Sequence, residues 1–318
     1  MIKFVNYNTM EINSKIFIAG HNGMVGSSIL RNLKSSGYKN ILLRSRKELD
    51  LTDQNQVISF FKKEKPEYVF LSAAKVGGIM ANKNFKADFI YQNLMIQSNI
   101  IHSSYLFGVK KLLFLGSSCI YPKNSSQPIK EEYLLSGFLE ETNDSYAIAK
   151  ISGIKMCQSY NQQYGTNFIS VMPTNLYGIG DNYDTNNSHV LPALIRKIHD
   201  AKINNKKSVE IWGTGKPMRE FLFSDDLSDA LILLMINYNS SDPINVGVGE
   251  DIKISELVNI ICDVIGYKGE ILYDKSKPDG TMRKLLDISK IKKMGWVNKT
   301  SLKDGIIIAY NDFLKRYE

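Results

Sequence analysis

The chain has 318 residues, a formal net charge of +8 and 43% hydrophobic residues. This length allows one large or two modest domains, and the composition is ordinary for a soluble globular protein. No apolar run approaches the length of about 20 residues that crosses a bilayer, and the N-terminus lacks a signal-peptide pattern. We therefore expect a cytoplasmic protein with no membrane partner.

The basic charge suits a protein that binds diphosphates, but coding bias also produces it. No basic patch alternates with aromatic residues, so we expect no nucleic-acid partner. The three cysteines, Cys119, Cys157 and Cys262, are far apart in the sequence. They show neither a disulfide framework nor zinc-ligand spacing, which predicts a reducing compartment and no metal site.

Short apolar runs alternate with helical patterns in the first half of the chain. We predict strands over residues 15–19, 40–43, 67–71, 111–115 and 167–172, and helices over residues 24–36, 53–63, 88–107 and 145–164. This alternation predicts an α/β fold with a doubly wound, Rossmann-like parallel sheet. The cofactor-binding domain is predicted over residues 1–178.

The character of the sequence changes after Tyr177. Residues 178–188 have the composition of a loop, residues 190–201 a helical pattern, and residues 209–212 and 220–223 the pattern of short strands. We predict a smaller mixed α/β substrate lobe over residues 179–318. Some of its segments should return to the main sheet.

A glycine turn follows the first predicted strand. Gly20, Gly23 and Gly26 stand where a strand turns into a helix. The first glycine allows a tight turn, the second lets backbone approach a pyrophosphate, and the third lets the helix pack closely on the strand. The free N–H groups of the helix N-terminus attract phosphates. The turn predicts dinucleotide binding, and an ordinary glycine-rich turn is the alternative.

The end of the second predicted strand indicates which dinucleotide binds. An NAD site places a carboxylate there, whereas this chain has Arg44 and Arg46. Two guanidinium groups can hold a 2′-phosphate, which favours NADP(H) over NAD. Asp50 and Asp53 follow, and Asp53 either caps the next helix or contributes to adenine recognition.

Tyr146 and Lys150 lie one helical turn apart. An ammonium group beside a phenol lowers the pKa of the phenol, so that Tyr146 can give a proton to a ketone oxygen. Ser117 and Ser118 follow the fourth predicted strand, at the sheet edge where α/β proteins bind ligands. One of them is expected to hydrogen-bond the substrate oxygen, and turn formation is the alternative role.

Together these motifs resemble the extended short-chain dehydrogenase/reductases. The resemblance is most specific to the GDP-L-fucose synthase family, through the Gly20 turn, residues 73–78, 113–123 and 172–178, and the stretch from Trp212 to Glu220. It implies C3/C5 epimerisation and NADPH-dependent C4 reduction of GDP-4-keto-6-deoxy-mannose. The implied base is Cys119 and the implied acid is His189. Ser117, Tyr146 and Lys150 would serve the reduction.

The resemblance also implies a cofactor site and a substrate site. The implied cofactor contacts beyond the three glycines, the two arginines and Asp50 are His21, Asn22, Met24, Val25, Leu51, Leu115, Gly116, Ser118, Lys150, Pro173, Thr174, Asn175, Leu176 and His189. The implied substrate contacts are Lys197, Trp212, Arg219 and Asp279. The family commonly has arginine where this chain has Asn22 and Lys197, and it is expected to form homodimers.

Two other functions are compatible with the same motifs. One is a C4 reductase of a related GDP-keto-sugar, such as a 6-deoxy-heptose, with little or no epimerisation. The other is a non-catalytic NADP-sensing or RNA-binding protein, which the complete Ser117, Tyr146 and Lys150 set disfavours.

Overall fold

The computed structural model describes residues 10–184, 188–277 and 279–317. The elements of the first half, in chain order, are β1 (Ile16–Ala19), α1 (Met24–Ser35), β2 (Ile41–Leu42), α2 (Gln54–Glu64), β3 (Tyr68–Leu71), α3 (Ile79–Asn84), α4 (Lys86–Leu106), β4 (Lys111–Leu115), α5 (Asp144–Tyr164) and β5 (Phe168–Pro173). Two short 3-10 turns, Ser118–Ile120 and Glu131–Tyr133, lie between β4 and α5.

The elements of the second half are β6 (Asn175–Tyr177), α6 (Val190–Ile203), β7 (Ser208–Trp212), β8 (Met218–Arg219), β9 (Phe221–Phe223), α7 (Ser224–Asn237), β10 (Ile244–Val246), β11 (Ile252–Lys253), α8 (Ile254–Ile265), β12 (Glu270–Asp274), β13 (Arg283–Lys284), α9 (Ser289–Lys293) and α10 (Leu302–Tyr317). In the described parts of the chain, no helix combines the length and apolar character needed to span a bilayer.

The main sheet has the order β10-β5-β4-β3-β1-β2, and its strands are parallel. Helices α1 and α7 pack together, while α4 packs against both α2 and α5. Burial on both faces explains why β1, β3, β4 and β5 are buried along their whole length and mostly apolar, without alternation. The predicted doubly wound α/β fold is confirmed.

The direction in which successive strands are added to the sheet reverses at β1. Strand β2 lies on one side of β1, and β3 begins the other half of the sheet. In open α/β sheets, ligands bind at the carboxyl ends of the strands on either side of such a switch point. The carboxyl ends of β1 and of the strands beyond it, β3, β4 and β5, lie at the same edge of the sheet, where a ligand is expected.

A second hydrophobic core lies among α6, α8 and α10. It is built around Ile195, Leu257, Ile261 and Ile306, which are fully buried. Strands β7 and β12 form a parallel pair in this part of the molecule. Not all of the second half belongs to it, because β10 pairs with β5 and extends the main sheet.

The predicted elements differ from the structure mainly at exposed ends. The second strand is only Ile41–Leu42, and helix α3 was not predicted. The predicted helix over residues 88–107 begins earlier, at Lys86. The predicted loop over residues 178–188 contains no helix or strand at 178–184 or 188, and its residues 185–187 lie outside the described residues.

Candidate active site and cofactor cleft

The turn after β1 requires glycine at two positions. Gly20 has a φ of +92°, and a Cβ there would lie 2.7 Å from the backbone nitrogen of Ala73. A Cβ on Gly26 would lie 2.1 Å from the carbonyl oxygen of Gly20. Side chains at either position would push the turn away from β3 or α1 away from the turn.

The same turn fits a dinucleotide phosphate group. Gly23 is the N-cap of α1 and supplies no side-chain cap, so the first helical N–H groups, beginning at Met24 and Val25, point out of the helix end. The first turn contains no acidic residue. Among the described residues, the buried Nδ1 of His21 has no hydrogen-bond partner. An anion would be stabilised by these groups and by the helix dipole.

The two arginines after β2 have different surroundings. Arg44 donates to a carboxylate oxygen of Glu64 at 2.8 Å, and its guanidinium carbon lies 5.4 Å from the ring centroid of Phe60. Arg46 is exposed. Arg44 is thus held in place by protein contacts, and Arg46 is the more solvent-accessible of the two cations.

The acidic residues after β2 organise the local backbone. Asp50 accepts hydrogen bonds from the backbone nitrogen and hydroxyl of Thr52, and these bonds lower the pKa of Asp50. Asp53 accepts from the backbone nitrogen of Gln56 and caps α2, which is one of the two roles predicted for it. The backbone carbonyl of Leu51, next to Asp50, accepts a hydrogen bond from Asn99.

The segment after β4 gathers the predicted catalytic side chains. The Ser117 hydroxyl accepts from the Cys119 backbone nitrogen at 3.2 Å and influences the ionisation of both Cys119 and Tyr146. Ser118 is buried. Of the two candidate serines, Ser117 is therefore the one that neighbours the reactive groups. Leu115 and Gly116 form the buried approach to this turn.

Tyr146 and Lys150 reach the same turn from α5. Lys150 is 3% exposed, and its Nζ donates to the carbonyl oxygen of Leu115 at 2.7 Å. Its Nζ lies 5.9 Å from the ring centroid of Tyr146. The spacing along the helix brings Tyr146 to Ser117 and Lys150 to the Leu115 carbonyl.

The predicted lowering of the Tyr146 pKa is not observed. Burial, followed by the negative charge of Cys119, raises the pKa of the Tyr146 phenol. Burial also lowers the pKa of Lys150 to about 7, because an ammonium loses hydration in the interior. Tyr146 consequently remains protonated at neutral pH, which is the form that donates a proton to an oxygen.

Lys284, which the sequence motifs did not identify, places a positive charge near Cys119 and His189. Burial alone would raise the pKa of the Cys119 thiol, but the charge of Lys284, the Ser117 hydroxyl and the charge of Arg219 together hold it below its ordinary value. His189 is the exposed N-cap residue of α6, and partial desolvation together with the charge of Lys284 lowers its pKa. No motif marks Lys284, because it lies in a short basic stretch far from Cys119 in the sequence.

The residues after β5 are fixed by β9 and β10. Thr174 donates its backbone N–H to the carbonyl oxygen of Val246 at 3.0 Å, and Asn175 donates its side-chain amide to the carbonyl oxygen of Glu220 at 2.8 Å. Pro173 ends β5, and Leu176 lies within β6. These contacts place the segment at the same sheet edge as the Ser117 turn.

The predicted substrate residues lie on the second lobe. Trp212 ends β7 with 57% of its surface exposed, so its ring can stack on a flat group. Arg219 is half-buried on β8 and interacts with the charges of Cys119 and Asp279. Lys197 is exposed on α6.

Asp279 is already engaged by the protein. Its carboxylate accepts hydrogen bonds from the backbone nitrogen and hydroxyl of Thr214, both at 2.7 Å. Gly213 lies against it, since a Cβ there would be 2.3 Å from a carboxylate oxygen of Asp279. Asp279 therefore fixes the turn that follows Trp212.

Comparison with known proteins identifies the family. The model of the NAD dependent epimerase/dehydratase family matches residues 16–247. The chain belongs to this family. A putative GDP-L-fucose synthase 2 of Arabidopsis thaliana is 56% identical over 96% of this chain and 93% of its own. The GDP-L-fucose synthase of Escherichia coli (strain K12) is 52% identical over 96% of this chain and 98% of its own.

A related solved structure bears a different name. A GDP-mannoheptose C4 reductase from Campylobacter jejuni with NADP bound is 48% identical, covers 96% of this chain and 99% of its own, and superposes with a TM-score of 0.88. The family resemblance drawn from the motifs is confirmed by these relatives. The names of these relatives refer to two different reactions, GDP-L-fucose synthesis and C4 reduction of a GDP-mannoheptose.

Proposed function

We propose that this protein converts GDP-4-keto-6-deoxy-mannose to GDP-L-fucose by C3/C5 epimerisation and NADPH-dependent C4 reduction. The observation that carries the proposal is the convergence of Ser117, Cys119, Tyr146 and Lys150 at the carboxyl end of β4. Two GDP-L-fucose synthases that are 52% and 56% identical over nearly the whole chain support the same substrate.

The residues around β4 provide what a ketone reduction needs. NADPH, when bound along the Gly20 turn, supplies the hydride that adds to C4. Ser117 hydrogen-bonds the carbonyl oxygen, and the protonated Tyr146 donates its phenolic proton to that oxygen as negative charge develops. Lys150 holds the site together through the Leu115 carbonyl and places its amino group near the phenol ring.

Epimerisation needs a base and an acid next to the ketone. Hydrogens on carbons adjacent to a carbonyl are acidic, because the carbanion delocalises onto oxygen. Cys119 accepts such a proton as a thiolate, and His189 returns a proton on the opposite face. Desolvation and Lys284 lower the pKa of His189, and the negative charge of a bound diphosphate would favour the imidazolium that donates.

The second lobe offers groups that suit a GDP-sugar. The exposed ring of Trp212 would stack on a flat group, and the guanidinium of Arg219 would pair with the diphosphate. Lys197 would add a second positive charge. Asp279 would contribute through the turn that it fixes beside Trp212. We propose that residues 179–318 mainly form this substrate lobe and residues 1–178 the NADP-binding domain.

The second candidate is a C4 reductase of a longer GDP-keto-sugar, such as a 6-deoxy-heptose. The Campylobacter jejuni reductase, 48% identical, is the observation that favours it. The reduction groups at Ser117 and Tyr146 would serve either substrate. The two functions differ in whether Cys119 and His189 exchange protons with the sugar.

Incubation in heavy water separates these functions. The purified protein is mixed with GDP-4-keto-6-deoxy-mannose, first alone and then with NADPH, and the products are identified by NMR and mass spectrometry. Deuterium at C3 and C5, followed by GDP-L-fucose, supports the epimerase-reductase. Oxidation of NADPH without deuterium uptake indicates the C4 reductase. No reaction would contradict the proposed substrate and lead to tests of longer GDP-keto-sugars.

We further propose a cytoplasmic homodimer. Helices α4 and α5 pack on each other, and both also expose apolar side chains. The exposed fraction is 62% for Tyr91 of α4 and 46% for Ile148 of α5. A two-fold contact between these helix pairs would bury such side chains in both subunits.

A further inference from the structure

Lys284 of the second lobe contacts the thiol of Cys119. Its Nζ donates to the Cys119 Sγ at 3.5 Å, across a sequence separation of 165 residues. Lys284 is paired in register with Arg219, because β13 and β8 are parallel neighbours. The second lobe therefore presents two adjacent cations to the turn after β4.

The backbone around Lys284 is fixed on both sides of the cleft. The next residue, Leu285, donates its N–H to the side-chain oxygen of Gln127 at 2.8 Å, in the loop that follows Cys119. Leu286 donates its N–H to the carboxylate of the buried Glu220 at 3.1 Å. The position of the lysine is thus set by contacts to the cysteine-bearing loop and to the strand beside Arg219.

The charge of Lys284 is not neutralised by a carboxylate. Within the described parts of the chain it forms no ion pair, whereas the preceding residue, Arg283, donates to Asp251 at 2.6 Å. A buried or half-buried lysine usually pairs with an acid, because an unpaired ammonium loses hydration. Here the acceptor is a thiol.

Other charged and polar groups around Cys119 also affect the ionisation of its thiol. Arg219 on β8 and the Ser117 hydroxyl both favour the thiolate, as does Lys284. Tyr146 on α5 faces the same sulfur, and the thiolate raises the pKa of that phenol. Lys284 also disfavours a second positive charge on His189. Lys284 thus favours the thiolate of the proposed base and opposes protonation of the proposed acid, His189.

We propose that Lys284 is a positioning residue that orients the Cys119 sulfur and holds it in the thiolate form needed by a base. The role in epimerisation rests on the proposed function. In that step a C–H bond next to the ketone breaks and an S–H bond forms. The C–H electron pair becomes a C=C bond to the carbonyl carbon, and the C=O π pair moves onto the carbonyl oxygen. Lys284 takes no part in these bond changes, and the step needs no co-reactant.

The pH dependence of cysteine alkylation tests this role without a substrate. A Cys262→Ser parent leaves Cys119 as the accessible thiol, since Cys157 is buried and burial raises its pKa to about 12. Iodoacetamide reacts with the thiolate, so its rate reports the ionisation of Cys119. In Lys284→Met we expect the midpoint of the profile to rise by about one pH unit and the rate at pH 7 to fall about tenfold.

Two further variants make the test specific. Lys284→Arg should restore most of the alkylation rate, because it keeps the positive charge. Arg283→Met, which removes the neighbouring cation that Asp251 holds, should leave the profile unchanged. If Lys284→Met does not fold, Lys284→Gln replaces it, and circular dichroism confirms the fold. An unshifted profile in folded Lys284→Met or folded Lys284→Gln overturns the proposal.

The substrate experiment then distinguishes this proposal from the proposed function. In a protein that epimerises, Lys284→Met should slow deuterium uptake at C3 and C5 more than it slows reduction of an already epimerised ketone. Equal slowing of both steps would contradict a role confined to the base. Absence of deuterium uptake by the parent protein would overturn the epimerase function, while the alkylation profile would still decide the effect of Lys284 on Cys119.

Discussion

Tyr146 is the residue at which reduction can be separated from epimerisation. In Tyr146→Phe the ring remains and the proton donor is lost, so we expect reduction to fall about 10²–10⁴-fold. Deuterium uptake should continue, because Cys119 and His189 remain, and NADPH binding measured by fluorescence should survive. Tyr164→Phe, at the exposed end of the same helix, is the matched control. Normal turnover in Tyr146→Phe would remove its role as the donor.

The ionisation of these residues shows what a local motif can predict. The spacing of Tyr146 and Lys150 placed both at the turn after β4. It could not predict that the pKa of the phenol rises, because this depends on burial and on Cys119, which another element contributes. The effect of Lys284 on Cys119 was not predictable either, since the two residues meet through long-range contacts, the pairing of β13 with β8 and the hydrogen bond of Leu285 to Gln127.

The turn between β1 and α1 allows a prediction about an element. In Gly26→Ala the new methyl group would lie 2.1 Å from the Gly20 carbonyl, so α1 must move. We expect a loss of about 1–3 kcal/mol in the free energy of unfolding, together with weaker NADPH binding. Urea denaturation and NADPH titration measure the two effects.

Gly23→Ala is the control for that substitution. Its methyl group would lie 3.4 Å from the same carbonyl, and the φ of −79° suits any residue. The unfolding free energy should therefore change little, while NADPH binding weakens, because the methyl group occupies the space that a pyrophosphate approaches. If Gly26→Ala were as stable as the parent, the close packing of α1 on the turn would not be essential.

Strands β1, β3, β4 and β5 were predictable because each is a buried run of 4 to 6 residues between glycine or polar turns. β2 was predicted as longer than it is, since its side chains are only half-buried and pair with β1 over two residues. The sequence predicted that some segment of the second half returns to the main sheet, but not that β10 pairs with β5. The three residues of β10 carry no periodic pattern that would identify their neighbour.

The whole molecule combines two cores that the sequence alone could divide only approximately. The second core joins α6, α8 and α10, yet α7 packs on α1 and β10 completes the main sheet. The chain therefore passes between the cores more than once. This repeated passage brings Arg219 and Lys284 to the edge of β4. A separate C-terminal lobe would not hold these two residues in a fixed position there.

The proposed homodimer is a property of the whole molecule, and Ile148 allows it to be tested. This residue is 46% exposed on α5, so an aspartate there leaves the core of the monomer intact. In a two-fold contact, each substitution would bury a carboxylate opposite the apolar surface of the other subunit, which is costly. We expect light scattering after gel filtration to show a dimer for the parent and a monomer for Ile148→Asp. Ile307→Asp, at an isoleucine of α10 that is 38% exposed, should remain a dimer. A monomeric parent at micromolar concentration, or a dimeric Ile148→Asp, would place any subunit contact elsewhere.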